Sequence, residues 1–219
     1  MSASRRPIYV NRSACSWVPG SELRAGLSDS IAQFTGSLPG FEQTNLIALP
    51  TIANEVGAKQ VFVKDESVRW GLPAFKILGA SWGINKAIIA KCGLPEDAGL
   101  GEVGAAARAH GVKLYAATEG NHGRAVARMA KTFGIESVIY VQRYMISSTQ
   151  DLIRGEGAEV IVVQGDYDFA VQEAAREAKL TSGILVQDTA FEGYEEIPNV
   201  SIVLLNRGLI PMVCLTVDC

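Results

Sequence analysis

Lys76 stands where a lysine can do covalent chemistry. It follows Phe75 and opens an apolar series, Ile77, Ala80, Ile84, Ala87 and Ile88, spaced three and four apart as on one face of a helix. Schiff-base chemistry needs a nucleophilic primary amine, and a helix start beside an apolar side chain is a setting in which one arises. The residue alone does not decide the matter, because a lysine reaching from a helix start to water is the commoner arrangement.

Two further segments carry polar and glycine residues in dense order. Glu119-Gly120-Asn121-His122-Gly123-Arg124 offers a carboxylate, an imidazole and two glycines that allow close backbone approach to a ligand. Asn121 can cap a helix and also donate to a bound oxygen. An ordinary capped turn between a strand and a helix would read the same way. The other segment, Gln187-Asp188-Thr189-Ala190-Phe191-Glu192-Gly193-Tyr194, supplies a second carboxylate, Asp188.

The elements around these segments suggest how they meet. Lys113 to Thr118, Ser137 to Gln142, Glu159 to Gln164 and Ile184 to Gln187 read as strands. Helices fall between them. One is capped by Asn121, with Val126, Met129, Ala130 and Phe133 on one face; one runs from Ser148 to Arg154; one opens at Asp166 with Val171, Ala174, Ala175 and Ala178 aligned. This alternation predicts an α/β fold, an open parallel sheet with helices on both faces. In such sheets ligands sit beyond the carboxyl ends of the strands, where both polar segments fall. Ahead of the sheet, Gln60 to Lys64 reads as a strand and Ala74 to Lys91 as the Lys76 helix. Residues 1 to 45 read as irregular, and Gly93 to Gly104 as a linker. The expected organisation is an arm and part of a larger domain over residues 1–90, a small four-stranded parallel domain over 91–190, and a tail over 191–219.

Several function classes are poorly supported. The chain has 219 residues, 48% of them hydrophobic, and a net charge of -3 with no basic run, so nucleic acid and membrane surfaces are not expected partners. No apolar segment follows Arg5 and Arg6 to make a signal peptide. Four scattered cysteines and two histidines lack a zinc-ligand spacing, so no metal is expected, and free thiols suit a reducing, cytoplasmic setting. Gly99-Leu100-Gly101-Glu102-Val103-Gly104 matches a dinucleotide fingerprint, but no strand precedes it.

Taken together, the three segments resemble those of the diaminopropionate ammonia-lyase family. Its members are pyridoxal-phosphate (PLP) enzymes of fold type II, tryptophan synthase beta-like and related to threonine and serine dehydratases. The likeness rests on Gly71 to Gly79 around Lys76, on Glu119 to Arg124 and on Gln187 to Tyr194, and it runs from about residue 40 to Pro198. It implies that PLP is the cofactor and Lys76 its Schiff-base residue. It implies that Phe75, Gly120, Asn121, His122 and Gly123 line the cofactor, and that Glu119 and Asp188 are the bases. The implied reaction is α,β-elimination of a 2,3-diaminopropionate-like or hydroxy amino acid to pyruvate and ammonia, with room for a homodimer.

Two residues depart from the family pattern: Glu119 stands where aspartate is usual, and Phe191 where tryptophan is usual. The family also continues well beyond residue 198, through the loop that holds the PLP phosphate. The resemblance therefore implies a C-terminally truncated chain with an incomplete large domain, weak or inactive as a lyase by itself. A non-catalytic remnant acting as a partner or regulator, or a serine/threonine dehydratase-like enzyme, are the alternatives.

Overall fold

The computed structural model describes residues 28–73, 75–189, 194, 197 and 213–216. Ala74, Phe191, Cys15, Cys219 and most of the 191–219 segment lie outside them.

The elements run α1 (Ser28–Ser37), β1 (Leu46–Ala48), α2 (Pro50–Val56), β2 (Gln60–Lys64), α3 (Lys76–Cys92), α4 (Leu100–Ala109), β3 (Lys113–Thr118), α5 (Asn121–Phe133), β4 (Glu136–Val141), α6 (Ser147–Gly155), β5 (Glu159–Val162), α7 (Tyr167–Leu180), β6 (Ile184–Leu185) and β7 (Val213–Thr216). Two sheets form. β1, β2 and β7 make an antiparallel ladder with β2 in the middle. The other sheet is parallel, in the order β5-β4-β3-β6.

The parallel sheet follows directly from its sequence. Successive residues of a strand face opposite sides, and both sides here are apolar. Leu114 and Ala116 of β3 and Ile139 and Val141 of β4 face one core with α3, α4 and α5. Tyr115, Ala117, Val138 and Tyr140 face another, against Ala170, Ala174 and Ala178 of α7. Strands covered on both faces need near-continuous apolar runs, and these have them. Phe133, Ile84 and Ile139 are buried in the first core, each stabilising the fold by about 1.5–3 kcal/mol. α3 shares that core along its length, through Ile77, Ala80, Ile84 and Ile88, so the helix that begins with Lys76 is seated against the parallel sheet's own helices.

Five local readings of the sequence are corrected. Residues 28–37, read as irregular, form α1, because Ile31, Phe34 and Leu38 recur at helical spacing and are buried against α3. Phe34 meets Trp82 with ring centroids 5.3 Å apart. The second half of the supposed linker is the start of α4; Gly104 lies inside that helix, where a Cβ would stand 3.1 Å from the Phe133 carbonyl oxygen. Asn121 does not cap α5: Gly120 occupies the cap position, and Asn121 is the first helical residue. β6 pairs over Ile184 and Leu185 only, not to Gln187. Within the supposed tail, Val213–Thr216 pairs with β2.

Candidate active site

In the parallel sheet the chain leaves β3 towards β4 and β5 on one side, then crosses to β6 on the other. The carboxyl ends of β3 and β6 therefore flank the point where strand order reverses, the usual ligand crevice of such sheets.

At the end of β3, Thr118 organises the turn. Its Oγ1 accepts hydrogen bonds from the backbone N–H of Gly120 and of Gly123, both at 2.9 Å. This pins the first turn of α5 against the strand. Gly120 has φ 151°, a region that only glycine enters freely. Gly123 is required for packing: a Cβ there would lie 2.5 Å from Thr118 Cγ2 and 2.9 Å from Ile139 Cγ2. Gly123→Ala is therefore expected to cost about 1–3 kcal/mol through overpacking. Thermal or urea denaturation measures this, and a loss below roughly 0.5 kcal/mol, the range of neutral surface changes, would refute the packing account.

His122 joins the two strand ends. Its Nε2 lies 2.8 Å from the Val186 carbonyl oxygen, which can only accept, so Nε2 carries the hydrogen. Nδ1 faces Asp188 Oδ2 at 3.8 Å. Burial pushes the imidazole pKa down, against a smaller upward pull from Asp188. The ring is thus a neutral strut between the ends of β3 and β6.

Lys76 reaches the same place from α3. Its Nζ lies 2.5 Å from Asp188 Oδ2, and the lysine side chain is 40% exposed. Burial acts to raise the Asp188 pKa, but His122 and Lys76 outweigh it and hold the carboxyl below its ordinary value. Lys76 acts on the carboxyl both through its hydrogen bond and through its charge. Glu119 is exposed, and its Oε1 accepts from Gln142 Nε2 at 3.0 Å.

The turn ahead of Lys76 is braced by Arg69. It grips Glu66 at 2.6 and 2.8 Å and donates to the Glu42 carbonyl at 2.6 Å and to Thr44 Oγ1 at 2.9 Å. The Trp70 carbonyl accepts from Arg128 of α5 at 2.7 Å, which ties this turn to the helix that carries His122.

All three polar segments meet in one cleft of about 410 Å³, lined by Lys76, Glu119, Asn121, His122, Tyr167 and Asp188 among others. Gly120, Thr118 and Thr189 complete its wall. Phe75, the residue before α3, and Gly123, buried behind the turn, are not among the lining residues. Arg124 turns away to Glu156, at 3.0 Å. Sequence reasoning missed Tyr167, a lone tyrosine at the start of α7 with no motif around it. Burial, then Asp188, push its phenol pKa up, so it stays protonated. Among the described residues no cluster of three or more His, Cys, Asp or Glu could hold a metal ion, and no helix is long and apolar enough to cross a membrane.

Comparison with known proteins gives four findings. A family model described as pyridoxal-phosphate dependent enzyme matches residues 38–198. The diaminopropionate ammonia-lyase of Escherichia coli K12 is 38% identical over 166 residues, 76% of this chain but 42% of the relative. The crystal structure of the Escherichia coli enzyme in apo form superposes with a TM-score of 0.73 at 35% identity, covering 80% of this chain and 47% of that one. The same enzyme solved in complex with D-serine gives 0.69 at 34% identity, covering 80% of this chain and 45% of that one. The chain thus spans less than half the length of these relatives.

Proposed function

Since the chain belongs to the pyridoxal-phosphate dependent enzymes, we propose that its cleft serves an ammonia-lyase, removing ammonia from a small amino acid by α,β-elimination. The observation that carries this reading is the convergence of one lysine amine and two carboxylates, Lys76, Glu119 and Asp188, on a single cleft at the strand-order reversal. Diaminopropionate is the favoured substrate by likeness to the Escherichia coli relatives, and the relative solved with D-serine keeps hydroxy amino acids within the class.

The residues present suit the cofactor. Lys76 offers a primary amine reachable from solvent, in a cleft of about 410 Å³, and would hold the cofactor covalently. When bound, the cofactor supplies an electron sink for breaking the Cα–H bond. Asp188 lies on the Lys76 amine and is ionised, so it can take a proton at that side. Glu119, an exposed carboxylate lining the same cleft, is the second candidate base. A positioned base contributes about 10²–10⁴-fold. His122, being neutral and buried, holds the strand ends rather than supplying charge.

The test is release of keto acid and ammonia from each enantiomer of 2,3-diaminopropionate, in the chain completed with the C-terminal part of the Escherichia coli relative as parent, and in Glu119→Ala and Asp188→Ala of that completed chain. Each substitution is expected to slow one enantiomer by about 10²-fold or more and the other much less. Parent-like rates with both enantiomers in Glu119→Ala would remove that residue from the reaction. No keto acid from any amino acid would remove the reading itself.

A further inference from the structure

Past Leu185 the pairing between β6 and β3 is carried on by a side chain. The Val186 N–H still donates to the Tyr115 carbonyl at 2.7 Å. The next residue, Gln187, is 0% exposed. Its Oε1 accepts from the Ala117 N–H at 3.0 Å, and its Nε2 donates to Tyr167 Oη at 3.0 Å. The orientation of this amide is forced. The Ala117 N–H can only donate, so it must face the oxygen, and the nitrogen is left to face the phenol. The Gln187 N–H donates to Tyr194 Oη at 2.8 Å, and that hydroxyl lies 3.0 Å from the Leu185 carbonyl oxygen, to which it donates. One buried residue is thus fastened to β3, to α7 and to Tyr194. The residue after it is Asp188, whose carboxylate lies on Lys76.

We propose that Gln187 is a positioning residue of the site: its buried amide, held between Ala117 and Tyr167, fixes where the Asp188 carboxylate stands against Lys76. The inference rests on the reading above only in treating that pair as the reactive one. The physical argument is short. A buried amide that loses its partners pays a large desolvation cost, so Gln187 keeps one place. Adjacent Cα atoms are about 3.8 Å apart, so an anchored Gln187 leaves Asp188 little freedom. An error of about 1 Å at a reacting group can cost on the order of 10²-fold in rate. The arrangement also accounts for the first and last residues of the Gln187–Tyr194 segment, which otherwise have no task beside Asp188.

The groups that act on the Asp188 carboxylate are Lys76 from α3 and His122 from α5, and Tyr167 of α7 lies within its electrostatic reach. The experiment is a titration of Asp188 by carboxyl-carbon NMR, in the 219-residue chain without cofactor, with the signal assigned through Asp188→Asn. The parent should titrate below the ordinary aspartate range. Gln187→Met keeps similar volume but loses both side-chain bonds, and its Asp188 midpoint should rise towards the ordinary value. Tyr167→Phe removes one of the two bonds and should move the midpoint in the same direction by less. Thr181→Ala also cuts a bond to this sheet, the 3.0 Å contact with Tyr115 Oη, and should leave the midpoint where it is. An unchanged midpoint in folded Gln187→Met overturns the proposal. If that variant does not fold, an unchanged midpoint in Tyr167→Phe overturns it. An equal shift in Thr181→Ala overturns it too, since the effect would then be general loosening. Because no turnover is read, failure here is distinct from failure of the elimination reading.

Discussion

Lys76→Ala and Lys76→Arg are both expected to lose covalent capture of PLP completely while keeping the fold. Lys76 is half-exposed and opens α3 rather than filling its interior. Its ion pair with Asp188 is partly solvated, and such pairs contribute about 0–1 kcal/mol. Stability should therefore change little. The chemistry should change entirely, because no other amine is among the described residues that line the cleft. Arginine separates the two roles of the lysine. It keeps the positive charge and can still pair with Asp188, but a guanidinium stays protonated and is no primary amine. The visible absorbance change on adding PLP should be lost in both variants. Any lyase turnover should drop on the order of 10³-fold or more, as when other covalent nucleophiles are removed. Parent-like capture by Lys76→Arg would mean that charge, and not the amine, is what the cleft supplies.

The largest expected loss of stability lies elsewhere, at Glu156. This carboxylate is buried at the end of α6 and accepts from Arg124 at 3.0 Å and from Arg128 at 2.6 Å. Both arginines belong to α5, and Arg128 also holds the Trp70 carbonyl. Glu156→Ala leaves two guanidinium groups facing each other with their shared counter-charge gone. Breaking a buried pair from one side costs about 3–5 kcal/mol. For a chain of this size that corresponds to roughly 10 °C in melting temperature. Glu156→Gln keeps one acceptor oxygen and should lose less. A melting temperature within about 2 °C of the parent in Glu156→Ala, a loss of about 1 kcal/mol or less, would show that the arginines find other partners at little cost.

The parallel half of the fold was legible because its signals are local. Lys113 to Thr118 and Glu136 to Val141 are apolar on both faces, and α5 and α7 show their buried faces at helical spacing. α1 carried the same kind of signal in Ile31, Phe34 and Leu38, but Gly36 masked it. In the structure Gly36 is an exposed helical residue with nothing within 4 Å of where a Cβ would stand, so it breaks nothing. The cleft was legible in part. Lys76, Glu119, His122 and Asp188 lie within segments whose composition stands out, and all four reach one cleft. Tyr167 and the partners of Gln187 were not legible. Gln187 meets Tyr167 and Ala117 across 20 and 70 residues of sequence, and Arg124 meets Glu156 across 32. Contacts of that range exist only once the strands are ordered. Gly123 was read as room for a ligand, and the structure gives it a different reason, the close approach of α5 to Thr118 and Ile139.

The most direct test of the central claim is to add PLP to the 219-residue chain, reduce with borohydride, digest, and map the pyridoxyl group by mass spectrometry. The account predicts the label on the peptide that contains Lys76. A label on Lys64 or Lys86 with Lys76 unmodified, or equal labelling of every lysine, would contradict it.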